Sequence, residues 1–184
     1  TNLDDEKNLK VYPTHRIVTK KNVNTDRLVQ DLETFFTVKE FDVSQETLNK
    51  SREEFIAEIE TKSKDNIVFG LYLKEKNKYF LIELKKDKVN DLNALLDDKS
   101  VPKPLRKLDL TILHKVIITD FLNISEQEQE AQKGIEYMKS KDESEFFKKI
   151  DDNSAEIAFL VASPKLQTIK EITEIGRASC RERV

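Results

Sequence analysis

The chain has 184 residues, 36% of them charged and 38% hydrophobic, and its formal net charge is −3. That length suits one domain with its own core, and the composition is globular rather than disordered or fibrous. The acidic balance argues against nucleic-acid binding, and no apolar run is long enough for a membrane span. Because no signal peptide is visible either, we expect a cytoplasmic protein with no nucleic-acid or membrane partner.

Two strands and two helices are predicted before the most apolar stretch of the chain. Asn24 is placed to cap the first helix and Ser44 the second. Pro13 is expected at an edge or a bulge, because it has no N–H to donate to a neighbouring strand. The predicted elements are a strand over residues 9–18, a helix over 25–36, a short strand over 37–43 and a helix over 45–62.

The most apolar stretch predicts a β-hairpin. Residues 66–73 and 78–84 are rich in β-branched and aromatic side chains, and a short polar link joins the two runs. Both runs are too continuously apolar for a solvated face. We therefore expect helices to cover the hairpin on both sides.

The second half of the chain alternates helices with two further strands. Asp109 is predicted to cap the first long helix, and Ser125 with Glu128 forms a capping-box pattern for a short polar helix. The predicted elements are helices over 87–96, 110–121, 125–134 and 142–150, an edge strand over 135–138, a central strand over 155–161, and a last helix after Ser163 and Pro164. The whole predicts a single α+β domain with a mixed β-sheet, the hairpin at its centre and helices packed on it.

The sequence contains no glycine-rich phosphate loop and no nucleophile elbow, so candidates for a site are single residues. In the pair His15–Arg16, an imidazole that can transfer a proton stands next to a guanidinium that can bind phosphate or carboxylate. Neighbouring side chains in a strand point to opposite faces, however, so the two would not naturally meet at one ligand. Asp109 and His114 stand five apart on one helix, beyond direct pairing distance. The structural alternatives are that Asp109 caps the helix and that His114 lies on the helix face, hydrogen-bonded to a neighbouring element. The candidate catalytic residues are His15, Arg16, Asp109 and His114.

Metal binding has little support in this sequence. His15 and His114 are the two histidines and lie far apart, and the single cysteine is Cys180 near the end of the chain. A zinc centre needs several such ligands at close spacing, so no metal site is expected. The acidic run at 126–130 is interpreted as a solvated helix face.

Both ends of the chain differ from its middle. Residues 175–184 crowd arginines and the cysteine into a chain that otherwise prefers lysine. They resemble one reading frame of a common sequencing adapter, so we expect residues 1–174 to be the natural part and 175–184 a read-through artefact. A genuine basic tail is the alternative. Because Thr1 opens directly into a polar run, we also expect the chain to be a fragment of a longer protein.

Four short motifs occur in an order and spacing that resemble a known family. They are Pro-Thr-His-Arg at 13–16, Leu-Asp-Leu-Thr-Ile-Leu-His at 108–114, Ile-Glu-Tyr at 135–137, and Ala-Phe-Leu at 158–160 with Ser-Pro at 163–164. They resemble the C-terminal half of the prokaryotic family catalogued as domain of unknown function 1015. The resemblance extends over residues 9–174.

This resemblance implies a function for longer members of the family. They carry an Asp-Gly-His-His-Arg-Tyr motif upstream and a Met-Pro-Gln-Lys-Ser-Thr segment downstream, and this chain contains neither. The upstream motif is similar to one in ParB-like free-serine kinases. Full-length members would then use ATP or ADP with magnesium to phosphorylate a small hydroxyl substrate, a reaction that depends on positioning and electrostatics.

Under this interpretation the present chain is inactive alone and holds no cofactor of its own. Its partner is the upstream half of the same protein, and it contributes His15, Arg16, Asp109 and His114 to the site. The alternative is a non-catalytic structural or oligomerisation module. Convergence of His15, Arg16 and His114 in one cleft would favour the kinase. Positions on separate faces, or burial with their hydrogen bonds satisfied, would favour the module.

Overall fold

The computed structural model describes residues 13–20, 22–41, 48–139 and 143–162. Its strands are β1 Thr14–Val18, β2 Phe36–Phe41, β3 Val68–Leu73, β4 Lys78–Leu84, β5 Ile135–Lys139 and β6 Ile157–Val161. Its α-helices are α1 Thr25–Phe35, α2 Leu48–Lys62, α3 Val89–Asp98, α4 Asp109–Ile112, α5 Glu126–Glu130 and α6 Glu143–Asp151. A π-helix, Leu113–Phe121, continues α4, and two 3₁₀ turns, Lys86–Lys88 and Lys103–Lys107, flank α3.

The six strands form one sheet in the order β2-β4-β3-β6-β1-β5. The hairpin β3–β4 lies inside it, with both strands paired on both sides, and β5 is an edge strand as predicted. The α+β fold class is confirmed. A mixed sheet was expected, but every strand pairing in the described part of the chain is antiparallel.

Helices cover the sheet on both sides, as the continuous apolar runs of the hairpin predicted. Helices α1, α3, α4 and the π-helix pack on one side, which we call the π-helix face. Helices α2 and α6 pack on the other, the α2–α6 face. Strand β6 is buried along its whole length because it lies in the middle of the sheet with helices on both sides.

Several local predictions are confirmed by the hydrogen bonds of the helix ends. The side chain of Asn24 accepts from the N–H of Arg27 at the start of α1. Ser125 and Glu128 form the reciprocal capping box of α5. These signals succeed because they depend on residues three apart in sequence.

Strand β3 and helix α2 approach each other closely at Gly70. A Cβ atom built on Gly70 would lie 2.7 Å from Ile59 Cδ1, 2.7 Å from Phe55 Cζ and 3.0 Å from Leu160 Cβ. Glycine is therefore what lets α2 pack this close to the sheet.

The predicted helix over 110–121 differs from the structure in two respects. Its N-cap is Leu108, and Asp109 is the first helical residue, with its Oδ1 accepting from the N–H of Leu110 at 2.7 Å. From Leu113 the turns widen to a π-helix, in which the Leu122 N–H donates to the carbonyl of Ile117. Side-chain periodicity cannot reveal such a widening, and π-helical turns are frequent at functional sites.

Some predictions concern residues outside the described ranges. They are the cap at Ser44, the first part of the strand over 9–18, the helix that begins at Ser163 and Pro164, and the arginine-rich tail over 175–184.

Candidate functional site

Strand β1 sends its two candidate residues to opposite faces of the sheet. Arg16 lies on the π-helix face with Val18, while His15 lies on the α2–α6 face with Ile17. This follows from the two-residue period of a strand, as the sequence indicated. His15 and Arg16 therefore do not converge on one ligand.

His15 is enclosed between β1, β6 and α6. It is 1% exposed, its Nδ1 accepts from the backbone N–H of Val161 at 3.2 Å, and its ring meets the Phe146 ring edge-on. Its Nε2 has no hydrogen-bond partner among the residues that the structure describes. Burial, together with the charge of Arg16, lowers the pKa of His15 from its ordinary 6.5 to about 4. His15 is therefore neutral at pH 7 and is closed off from any substrate.

Arg16 contacts His114, which lies 98 positions further along the chain. Its Nε and Nη2 lie 3.0 and 2.9 Å from His114 Nε2, and its Nη1 donates to the carbonyl of Thr14. The guanidinium carbon lies 4.7 Å from the centre of the Tyr137 ring, whose negative π-face attracts a cation. Strand β5, which carries Tyr137, thus holds the guanidinium from the sheet edge while the π-helix holds it through His114.

The charge of Arg16 is buried, and no carboxylate of the described residues accepts a hydrogen bond from it. Arg16 is 5% exposed, and its hydrogen-bond partners among the described residues are an imidazole and two backbone carbonyls. Burial lowers the pKa of Arg16, and the nearby Tyr137 and Asp109 offset only part of that effect. A buried cation is normally paired with an anion, so this guanidinium is an unusual feature of the fold.

His114 is held from its other side by Gln129 of α5. His114 Nδ1 lies 2.6 Å from Gln129 Oε1, and the His114 ring stacks on Tyr137 with the two planes 16° apart. Burial lowers the pKa of His114, the neighbouring charge of Arg16 adds to the shift, and the bond to Gln129 opposes it. The imidazole is therefore neutral at pH 7, with Nε2 directed at Arg16.

Gln129 was missed by the sequence analysis, which interpreted residues 126–130 as a solvated face. Gln129 is 3% exposed, while Glu126 and Glu130 of the same helix are exposed. A glutamine side chain can be buried there because its amide is fully hydrogen-bonded and carries no charge. Two glutamines interrupt this acidic run, Gln127 and Gln129, and the sequence does not show which of them is buried.

Asp109 lies close enough to Arg16 for its charge to raise the pKa of the guanidinium, but it is not among the hydrogen-bond partners of Arg16. Three of the four candidates, Arg16, Asp109 and His114, are therefore brought together on the π-helix face. His15 lies behind the sheet. We call Arg16, His114, Gln129 and Tyr137 the arginine–histidine cluster.

The cluster contains a guanidinium, the side-chain group best suited to binding a carboxylate or a phosphate. The Nε–Nη2 edge of a guanidinium forms two parallel hydrogen bonds with a carboxylate or phosphate, and in Arg16 both nitrogens share one acceptor, His114 Nε2. In this structure His114 occupies that edge, and a negative charge beside the guanidinium would offset the cost of its burial.

No group of three or more metal-ligating side chains occurs in residues 13–20, 22–41, 48–139 and 143–162. Over the same ranges, no helix combines the length and apolar character needed to cross a bilayer.

A separate cavity of about 510 Å³ lies where the segment after β1 meets α1 and the end of the π-helix. Lys20, Arg27 and Asp120 contribute charges of both signs to its wall. Lys20 Nζ already donates to the carbonyl of Asn123 at 2.7 Å. None of the four candidate residues lines this cavity.

Comparison with known proteins agrees with the family resemblance of the motifs. No curated protein and no solved structure matches the chain. One family model matches residues 2–111, which include His15, Arg16 and Asp109 and stop three residues before His114. The motifs at 135–137 and 158–160 lie outside that match. Because the match covers more than half of the sequence, the chain belongs to the family described as protein of unknown function (DUF1015).

Proposed function

We propose that this chain supplies an anion-binding subsite to a nucleotide-dependent kinase that phosphorylates a small hydroxyl substrate, with free serine as the first substrate to test. The observation that carries the proposal is the buried guanidinium of Arg16, which has no carboxylate among its hydrogen-bond partners in the part of the chain that the structure describes. Phosphoryl transfer is mainly positioning and charge stabilisation, and arginine is the side chain best suited to both.

The site of Arg16 has the properties expected for binding a phosphate or a carboxylate group. Tyr137 and His114 fix the guanidinium plane, so little side-chain freedom remains to be lost on binding. Burial strengthens the attraction of an incoming anion, because the local dielectric constant is lower than that of water. Asp109 is close enough to weaken it in part.

Other parts of the proposed enzyme come from outside this sequence. The Asp-Gly-His-His-Arg-Tyr motif is not in this chain, so the proposal assigns acid–base chemistry and nucleotide contacts to a longer protein that carries it. ATP or ADP with magnesium would be its cofactor, and this chain's own contribution is to hold one anionic group with Arg16. His15 has no part in the proposal.

The test is a turnover assay on the protein that contains both this chain and the upstream motif. With Mg–ATP or Mg–ADP and serine, we expect phosphoserine to form together with the corresponding nucleotide product. Arg16→Met should lower kcat/KM by about 100-fold, because one donor aimed at the reacting group is worth that much in other enzymes. Arg52→Met, on the α2–α6 face, is the matched control and should leave kcat/KM within about threefold.

Two results would contradict the proposal. One is nucleotide consumption no higher with serine and other small hydroxyl compounds than without them. The other is an Arg16→Met protein that turns over as fast as wild type.

A non-catalytic structural or oligomerisation module is the second candidate. It is favoured by the position of His15, which is buried on the opposite face of the sheet from Arg16 and His114. It is also favoured by the partners that Arg16 already has, since His114, the Thr14 carbonyl and the Tyr137 ring can be sufficient for a structural arginine. In that case phosphate, ATP and serine leave the NMR spectrum of the chain unchanged. Arg16→Met would then lower stability or change the oligomeric state and affect no ligand.

A further inference from the structure

Gln129 connects a backbone carbonyl to the arginine–histidine cluster. Its amide nitrogen donates to the carbonyl of Ile124 at 2.9 Å and to Thr119 Oγ1 at 2.9 Å. Its amide oxygen lies 2.6 Å from His114 Nδ1. The amide is almost fully buried, so water does not substitute for any of these three contacts.

These contacts determine which way the amide faces. A backbone carbonyl can only accept, so the nitrogen end of the amide must face Ile124. The hydroxyl of Thr119 donates its own proton to the carbonyl of His114 at 2.8 Å, so its oxygen is available to accept from Gln129. The amide oxygen is therefore the atom that meets His114 Nδ1.

The orientation of the amide fixes the proton on His114. An amide oxygen only accepts, so Nδ1 must carry the proton, and a neutral imidazole then has a lone pair on Nε2. Arg16 presents two donors to that lone pair, at 3.0 and 2.9 Å. The other tautomer would set an N–H against the N–H groups of Arg16 and displace the guanidinium.

We propose that Gln129 is a positioning residue, which keeps His114 in the Nδ1–H tautomer and thereby holds Arg16 at its anion subsite. The role at the subsite rests on the proposed function, whereas the tautomer can be measured without any ligand. Gln129 itself touches neither Arg16 nor a bound anion in this arrangement and acts through His114.

His15 provides an internal reference with the opposite tautomer. Its Nδ1 accepts from the N–H of Val161 at 3.2 Å, so its proton is on Nε2. His15 and His114 are the two histidines of the sequence, so a spectrum of the imidazole nitrogens contains only their signals.

The experiment is a long-range ¹H–¹⁵N NMR spectrum of the ¹⁵N-labelled chain at pH 7.5. We expect one histidine protonated on Nδ1 and the other on Nε2, and His15→Phe assigns the first to His114. Gln129→Met should abolish the Nδ1–H pattern of His114 and leave His15 unchanged. Gln127→Met, at an exposed position of the same helix, is the matched control and should change neither.

Gln129→Glu tests in a second way whether residue 129 controls the proton on His114, in case the methionine variant does not fold. The carboxylate still accepts from Nδ1 and adds a negative charge, so the pKa of His114 should rise and its ring should take up a second proton at higher pH than in wild type. An Nε2–H tautomer in wild-type His114, or a His114 that titrates identically in wild type and Gln129→Glu, would overturn the proposal.

Titration with inorganic phosphate separates this proposal from the proposed function. Gln129→Met should weaken phosphate binding about 10-fold, the usual effect of removing a residue that orients a ligand-binding side chain, and Gln127→Met should not. Equal phosphate affinity in Gln129→Met and wild type would overturn the positioning role. A wild-type chain that binds no phosphate, ATP or serine would contradict the anion subsite itself. The tautomer of His114 would still test whether Gln129 positions its proton.

Discussion

Two arginines lie on opposite faces of one sheet and are held in different ways. On the α2–α6 face, Arg52 of α2 binds both carboxylate oxygens of Asp151 and lies 4.5 Å from the Phe147 ring centre. On the π-helix face, Arg16 also lies over an aromatic ring, but its hydrogen bonds go to an imidazole and to carbonyls. The aromatic contact is common to both, and the carboxylate belongs only to Arg52.

The two guanidinium groups shift their pKa in opposite directions. Burial lowers the pKa of Arg52, but the hydrogen bonds that it donates to Asp151 and Tyr79, together with the charge of Asp151, outweigh burial and leave the pKa raised. Burial also lowers the pKa of Arg16, and no such bond compensates it. Under the proposed function, Arg52 is a structural residue that joins α2 to α6, whereas Arg16 binds a ligand that brings a negative charge.

On the α2–α6 face, we expect the largest loss of stability at acidic pH, where His15 becomes protonated. The folded pKa of His15 is about 4, below the ordinary 6.5, so the unfolded chain binds one more proton than the folded chain between these values. The contribution of His15 to stability is therefore full above pH 6.5 and is lost as pH falls toward 4, by about 3 kcal/mol in total.

Urea unfolding of wild type and His15→Phe at pH 7 and pH 4 measures that contribution. Wild type should lose about 3 kcal/mol more than the variant between the two pH values. Equal losses would show that His15 is not buried in its neutral form.

Gly70→Ala tests how tightly α2 is packed on its face. The new methyl group would lie 2.7 Å from both Phe55 Cζ and Ile59 Cδ1, so the variant should be less stable by about 2 kcal/mol. Ile59→Val removes one of these two atoms, so the double variant should recover part of the loss. Strictly additive losses in chemical denaturation would contradict the close approach.

Arg52→Met should destabilise the fold by about 1.5 kcal/mol, since it removes a paired charge and a cation–π contact. The freed Asp151 side chain is 51% exposed and can return to water, which limits the loss. High salt should weaken the wild type more than the variant. A variant as stable as wild type at low salt would contradict the structural role of Arg52.

Arg16→Met should have the smallest effect on stability, within about 0.5 kcal/mol of wild type, because it removes a buried charge that lacks a carboxylate. The half-buried His114 ring that loses its donor can bind water instead. Urea unfolding of both arginine variants in one buffer compares the two faces directly. A larger loss of stability for Arg16→Met than for Arg52→Met would contradict the assignment of Arg52 as the structural arginine.

Local patterns in the sequence predicted one half of this contrast. The alternation of β1 separated His15 from Arg16, and the apolar run of residues 66–84 placed the hairpin inside the sheet. Such features depend on neighbours within a few positions, where side-chain period and capping chemistry are decisive.

The partners of Arg16 were not predictable in that way. His114 is 98 positions away, and the π-helix that carries it has no signature in a periodic pattern. Gln129 is concealed within an acidic run, because burial of one glutamine there depends on contacts made only after the chain has folded. The sequence thus indicated four candidate residues, and tertiary structure was needed to show that Arg16, Asp109 and His114 lie together while His15 lies on the other face.

Unfolding in the presence of inorganic phosphate tests the central claim most directly, that Arg16 is a buried cation lacking an anion. At a phosphate concentration 100 times the dissociation constant, wild type and Arg52→Met should each gain about 2.7 kcal/mol of stability, and Arg16→Met should gain none. An equal gain in all three proteins, or none in wild type at any phosphate concentration, would contradict the claim.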